Sequence, residues 1–247
     1  MTWLFDLGNS RLKCARLHPD GTHGQVLALE HDAGRFVQAL RQTLPARAGR
    51  ACLSSVASPA LTTEVLAELQ ARFDTVECVR VVPAFDGVRI AYPRPDKFGV
   101  DRFLALLGAR ARGGAWLIAG VGTALTIDLL DAQGLHHGGR IAPSPRLMRE
   151  ALHRAAAQLP ERGGDYAELA RDTEDALASG CDGAALGLVE RSLRHAGEVL
   201  GQAPGLLLHG GGADSLAPHL PMATRAPALV LEGMARWARA VPGPAAG

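Results

Sequence analysis

Trp3-Leu4-Phe5-Asp6-Leu7-Gly8-Asn9-Ser10-Arg11-Leu12-Lys13 is the stretch from which the fold is read. Its apolar start reads as a buried strand that ends in an acid, a glycine and two small polar residues. The chain then turns and resumes as a second strand carrying Lys13. One tight turn therefore gathers a carboxylate, bare backbone amides, two side-chain donors and an ammonium. Such a set suits the phosphates of a magnesium-bound nucleotide: glycine lets the backbone approach, the amides and Lys13 donate to phosphate oxygens, and Asp6 holds the metal or its waters. Asp-x-Gly-Asn also describes ordinary hairpin turns, so the turn alone leaves both readings open.

Outward from this turn, residues 2–7, 12–17 and 25–29 read as an antiparallel meander, the last strand following the Asp20-Gly21 turn. A helix fits residues 35–44, a buried strand 51–56, a helix 61–73 with Leu61, Val65, Leu69 and Phe73 four apart, and a short strand 79–82. Residues 83–98, rich in proline and charge, read as an ordered loop before a helix over 101–112. At Trp116 the pattern restarts. Trp116-Leu117-Ile118-Ala119 is a buried strand, Gly120-Val121-Gly122-Thr123-Ala124 a glycine turn, and 125–130 a second strand, followed by the 131–134 turn and a third strand from Gly138. Helices over 146–159 and 182–200, a strand at Leu206-Leu207-Leu208, a Gly210-Gly211-Gly212 run and a last helix over 228–240 complete the chain, with 242–247 expected to fray. Two halves with one element order imply a duplicated α/β unit, divided as 1–114 and 115–247, each half presenting its glycine turn to a shared cleft.

Composition narrows the function. With 26 basic against 25 acidic residues, the net charge of +1 argues against a nucleic-acid surface, which needs clustered positive charge. Stretches such as Arg110 to Arg112 read as solvated helix faces. The four cysteines lie far apart with no Cys-x-x-Cys, neither a zinc pattern nor a disulfide framework, which points to a reduced cytoplasmic chain. The first residues do not read as a basic-then-apolar signal pattern, and no apolar run reads as long enough to span a membrane. The His136-His137 pair, in a glycine-rich turn, reads as exposed polar filler.

The second turn, Gly122-Thr123-Ala124-x-Thr126-x-Asp128, mirrors the first. Thr123 offers a hydroxyl and an amide to phosphate, while Thr126 and Asp128 share a strand face. A hairpin whose polar residues cap each other is the alternative. The glycine run at 210–212 is either a backbone approach point for a nucleotide base or ribose, or a plain loop. Asp101 and Arg102 stand at an expected helix start after Gly99. Asp101 is either a plain N-cap or the base that takes a proton from a substrate hydroxyl, with Arg102 as the anchor of a polar substrate group.

Together these motifs resemble the type III pantothenate kinases, a bacterial family of the acetate and sugar kinase/heat-shock protein 70/actin clan, over nearly the whole chain. Asp6-Leu7-Gly8-Asn9-Ser10 with Lys13 matches the first phosphate motif. Tyr92 with Gly99-Val100-Asp101-Arg102 matches the pantothenate and catalytic segment, and Gly122-Thr123-Ala124-Leu125-Thr126-Ile127-Asp128 the second phosphate motif. Gly138-Gly139-x-Ile141-x-Pro143 and Leu147-Met148 match the interface segment, Thr173 with Ala176, Ser179 and Gly180 the late substrate segment, and Gly210-Gly211-Gly212 the adenosine motif. The resemblance implies a duplicated ribonuclease H-like, actin-like two-lobed fold with mixed sheets and flanking helices. It implies ATP-dependent phosphorylation of the terminal hydroxyl of pantothenate, the first step toward coenzyme A. In that reading Asp101 is the proton acceptor, residues 6–13 and Thr123 hold ATP, and Tyr92, Gly99, Val100, Asp101, Arg102 and Thr173 line the pantothenate pocket. Family members are homodimers that use magnesium and a monovalent cation, potassium or ammonium.

The chain departs from the family in three places. Many members carry an aspartate two positions before the Gly-Thr-Ala that helps bind the monovalent cation; here that position is Gly120, which has no carboxylate, so backbone carbonyls or water serve instead or the dependence is lost. Ser144 stands where glycine usually follows the proline of the interface segment, and Ala156 replaces a common threonine. Two other readings stand beside the kinase: a non-catalytic regulatory protein on the same scaffold, and a kinase for another small hydroxylated acid.

Overall fold

The computed structural model describes residues 1–31 and 35–241; the tail expected to fray, 242–247, lies outside them. In chain order the elements are β1 (Thr2–Leu7), β2 (Arg11–Leu17), β3 (Leu27–Glu30), α1 (Phe36–Thr43), β4 (Ala48–Ser55), α2 (Pro59–Gln70), β5 (Phe73–Cys78), the short hairpin β6 (Ala84–Phe85) and β7 (Val88–Arg89), and α3 (Val100–Arg110). Then come β8 (Trp116–Val121), β9 (Ala124–Leu130), β10 (His136–Pro143), α4 (Pro145–Ala155), α5 (Thr173–Leu200), β11 (Gly205–His209), α6 (Ala213–Leu216), β12 (Ala223–Arg225) and α7 (Leu229–Ala240).

Contacts divide this chain into two compact units, Met1–Arg112 together with the segment from Ala228 onward, and Gly113–Pro227. Each holds one five-stranded sheet, ordered β3-β2-β1-β4-β5 in the first and β10-β9-β8-β11-β12 in the second. In both, the first three strands of the unit form an antiparallel meander and the next two add in parallel on the other side. The same order and the same senses recur, so the duplication expected from element order holds at the level of strand pairing.

In the first unit, alternation along β1 sends Phe5 and Leu7 into an apolar core with Leu40 of α1 and Val65 and Leu69 of α2. Leu4 and Asp6 therefore face the opposite side, the side of α3 and α7. The expected lobes were contiguous, yet α7 belongs with the first unit. Its Gly233 and the Gly108 of α3 have no room for a Cβ, which would run into the carbonyls of Leu104 and Leu229. Two glycines thus let the two helix backbones touch. Arg50 of β4 secures the end of α7 by donating to the Ala238 and Val241 carbonyls at 2.7 and 2.6 Å, groups a helix C-terminus leaves unpaired.

Several boundaries shift from expectation. The strand placed at 79–82 lies upstream, at Phe73–Cys78, because Val76 and Glu77 register with Ala51 and Cys52 of β4. The helix placed at 182–200 begins at Thr173, since Asp172 caps it by accepting the Asp175 N–H at 2.9 Å, and it stops at Gly201 with φ +70°. His136 is not surface filler. It is 1% exposed and its Nε2 bonds the buried Asp128 Oδ1 at 2.9 Å; only His137 is exposed, and it bonds Asp131.

Candidate active site

The first turn is built as the sequence suggests. β1 and β2 pair so that Leu7 registers with Leu12, and the Gly8 N–H closes the turn on the Arg11 carbonyl at 3.1 Å. The Leu7 and Leu12 side chains are fully buried, so only their backbones can serve a ligand. Asn9 and Ser10 are exposed at the tip. His31 braces that tip: its Nδ1 donates to the Asn9 carbonyl and its backbone N–H to the Ser10 carbonyl, both at 3.1 Å. Arg11 is held loosely by Glu30 at 4.0 Å on β3.

Behind the tip, Lys13, Asp6 and Ser54 register across β2, β1 and β4, so their side chains share one face. The Ser54 hydroxyl donates to Asp6 Oδ1 at 3.0 Å. Burial, and then the negative charge of Asp101, push the Asp6 carboxyl up to about 6; the Ser54 hydrogen bond and the Lys13 charge pull the other way without prevailing. Burial also draws the Lys13 ammonium below its usual range against the pull of Asp6, and Arg11 adds to the lowering. A buried carboxyl whose proton affinity is raised by a second carboxylate favours a cation beside it. Magnesium is typically held by one or two carboxylates together with substrate phosphates, so the donor set fits it. No cluster of three or more metal-binding side chains occurs among the described residues.

Asp101 enters this group from the first turn of α3. It is not a plain N-cap: the capping position is Gly99, which makes no side-chain cap bond. Asp101 Oδ1 instead accepts the neighbouring Arg102 N–H at 2.8 Å. A Cβ on Gly99 would stand 2.7 Å from that same oxygen, so glycine keeps the carboxylate clear. Arg102 is 5% exposed. Its guanidinium lies 4.6 Å from the Phe98 ring centre and 5.6 Å from that of Tyr92, and its Nη1 donates to the Tyr92 hydroxyl at 3.3 Å. Within the first unit, then, Asp6, Lys13 and Asp101 come together, with Tyr92 and Arg102 fixed beside the start of α3. Val100 is the first residue of that helix.

Thr123 and Thr173 belong to the second unit. Thr123 sits in the β8–β9 turn, which the Gly122 N–H closes on the Ala124 carbonyl at 2.9 Å. Ser144, the departure from the family's glycine, donates to the Thr123 carbonyl at 2.9 Å while capping α4. Asp128 is spent on His136 inside the unit. Thr173 is exposed at the first position of α5. The glycine run earns its composition from packing: Gly210 has φ +96°, a Cβ there would strike the Val121 carbonyl, and the Gly212 N–H donates to that carbonyl at 2.9 Å. Beside Gly120 the place of a carboxylate is taken, since a Cβ would meet His209 Nε2 at 2.7 Å and Thr126 Oγ1 at 2.8 Å. The residues at this turn do not fit a monovalent-cation site built on a side-chain carboxylate.

Sequence reasoning missed Ser54, His31 and His209. Each acts through a lateral neighbour on another strand or loop, and the local pattern around it carries no sign of that neighbour.

The family model for type III pantothenate kinase matches residues 3–195. A type III pantothenate kinase of Xanthomonas axonopodis pv. citri (strain 306) is 59% identical over 243 residues, covering 98% of this chain and 99% of that protein. Among solved structures, a Campylobacter jejuni protein described as a Baf family transcriptional activator aligns with a TM-score of 0.62 at 19% identity, covering 94% of each chain. One from Sinorhizobium meliloti described as a 2-dehydro-3-deoxygalactonokinase aligns at 0.59 with 16% identity, covering 97% of this chain and 99% of that one. At such identities the two structures speak for the fold alone.

Proposed function

Because the chain belongs to the type III pantothenate kinase family, we propose a mechanism in which its own residues transfer the γ-phosphoryl group of ATP to the terminal hydroxyl of pantothenate, opening coenzyme A synthesis. The observation that carries it is the meeting of Asp101 with Asp6 and Lys13 in one unit, close enough for the Asp101 charge to raise the Asp6 carboxyl.

Asp101 accepts the proton of the substrate hydroxyl as its oxygen forms a bond to the γ-phosphorus; the bond from that phosphorus to the bridging oxygen breaks, and ADP leaves. Gly8, Asn9 and Ser10 offer backbone and side-chain donors to phosphate oxygens, and Lys13 offsets the charge that gathers on them. Thr123 does the same from the β8–β9 turn. Asp6 would hold magnesium, which when bound would neutralise phosphate charge and help align the triphosphate. Tyr92, Gly99, Val100, Arg102 and Thr173 bind pantothenate, with Arg102 held rigid by Phe98 and Tyr92. Positioning and fixed charge supply most of the rate.

The working form is a homodimer. An apolar groove of about 660 Å³ runs between α4 and α5, lined by Leu147, Met148, Leu152, Leu177 and Cys181 among others. Leu152 at its rim is 43% exposed, and Ile141, on the same face of β10 as the groove-lining Pro143, is 65% exposed. A second copy would cover this surface. The thiols of Cys14, Cys52, Cys78 and Cys181 are all free, and no helix among the described residues is long and apolar enough to cross a membrane; a cytoplasmic setting accords with both.

The deciding experiment is ADP release by the purified chain with ATP, magnesium and pantothenate, against a panel of other hydroxylated acids. Release that depends on pantothenate is expected. No release with any acceptor would remove the kinase, and release with another acid alone would reassign its substrate.

A further inference from the structure

The duplication places Gly120 where the first unit has Asp6. Asp6 stands on β1 two positions before Gly8, registered between Lys13 of β2 and Ser54 of β4. Gly120 stands on β8 two positions before Gly122, registered between Thr126 of β9 and His209 of β11. Laterally registered residues project from one face of a sheet, so the space over Gly120 is shared out between those two neighbours. Their side chains fill it. A Cβ on residue 120 would lie 2.7 Å from His209 Nε2, 2.8 Å from Thr126 Oγ1 and 3.0 Å from His209 Cε1, all far inside van der Waals contact. The two positions are therefore matched. A carboxylate at 120 requires the imidazole to move away, and the imidazole where it stands leaves room at 120 for glycine alone.

The exchange changes what the turn can hold. Alkali cations are bound by oxygen, from carbonyls, carboxylates or water, whereas a neutral imidazole suits transition metals and a protonated one repels any cation. Here the place that the duplicated frame gives to a carboxylate in the first unit carries a nitrogen ring, and no side-chain negative charge replaces it on residues 120, 126 or 209. We propose that His209 closes the monovalent-cation site at the second turn and that this kinase turns over without potassium or ammonium. The inference rests on the kinase reading above. His209 is a positioning residue in it: it ends β11 in register with Gly120 of β8, and its ring takes the space over that glycine.

The test measures pantothenate-dependent ADP formation in tetramethylammonium, sodium, potassium and ammonium chlorides at a constant ionic strength of about 100 mM. ADP is quantified directly by chromatography, because a coupling enzyme could itself respond to the salt. Rates within about twofold of each other are expected, and activation of about tenfold or more by potassium or ammonium overturns the proposal. Thermal unfolding in the same salts needs no turnover. The same midpoint in potassium, ammonium and tetramethylammonium is expected, and a selective rise in potassium or ammonium overturns the proposal. If no ADP forms in any salt, the kinase reading fails and the unfolding midpoints alone decide this one. The double variant Gly120→Asp/His209→Ser restores the carboxylate and removes the ring, and is expected to gain a potassium-selective rise. Gly120→Asp alone still meets the ring; a potassium-selective rise in that single variant would show that His209 closes nothing.

Discussion

Asp6 and Asp101 share one neighbourhood but carry different duties, and each can be tested alone. Asp101→Asn keeps the shape and hydrogen-bonding reach of the side chain but cannot take a proton. Turnover is expected to fall about a hundredfold or more while nucleotide affinity, read by calorimetry, stays put. Asp6 answers to pH. Its folded carboxyl keeps a proton up to about 6, whereas in the unfolded chain it releases one near 3.8. Its contribution to stability is thus whole below the lower value and is lost as pH rises through the higher one. Asp6→Asn without ligands is expected to be more stable than the parent by about 1–2 kcal/mol at about pH 8 and no more stable at about pH 4, as read from urea midpoints. Activity of the parent should run the opposite way, rising through about pH 6 as Asp6 ionises to hold magnesium. Gly99→Ala would press a methyl on Asp101 Oδ1 and should lower kcat more than it raises the KM for ATP. At this scale the sequence was legible where partners are neighbours in the chain. Asp6, Gly8 and Lys13 share a hairpin, and Asp101 follows Gly99 at a helix start. Ser54 and His209 were not legible, because parallel register between distant strands leaves no local trace.

The helices α3 and α7 meet through glycine. Gly233→Ala would drive a methyl into the Leu104 carbonyl, and a loss of about 2–4 kcal/mol in the urea unfolding free energy is expected. Ser144 serves two elements at once, capping α4 and tethering the Thr123 carbonyl. Ser144→Ala should cost about 1 kcal/mol and raise the KM for ATP, a kinetic change that loss of a cap alone would not bring. Helix existence was readable from apolar spacing, but helix starts were less so. Gly180 argues against extending α5 toward its N-terminus, yet Leu177, Ala178, Cys181, Ala185 and Val189 are buried at helical intervals, and packing outweighs its propensity. β5 was displaced because Phe73, expected to end a helix, is buried on the sheet instead.

At the scale of the molecule, the proposed dimer rests on a few side chains of the groove between α4 and α5. Leu152→Asp at its rim should give a monomer in light scattering, and its unfolding midpoint should no longer rise with protein concentration as that of a parent dimer would. The repeated element order was visible in the sequence and recurs strand for strand. The return of α7 was not visible, because nothing in its amphipathic pattern says which sheet it will cover. That return has a consequence for synthesis. The residues from Gly113 to Pro227 are translated between α3 and its partner, so an unfinished polypeptide leaves the ribosome with the apolar flank of α3 bare. Only the codons of α7 supply its cover. A stop codon just before them would yield an adhesive fragment for chaperones and proteases to clear, rather than a smaller working enzyme.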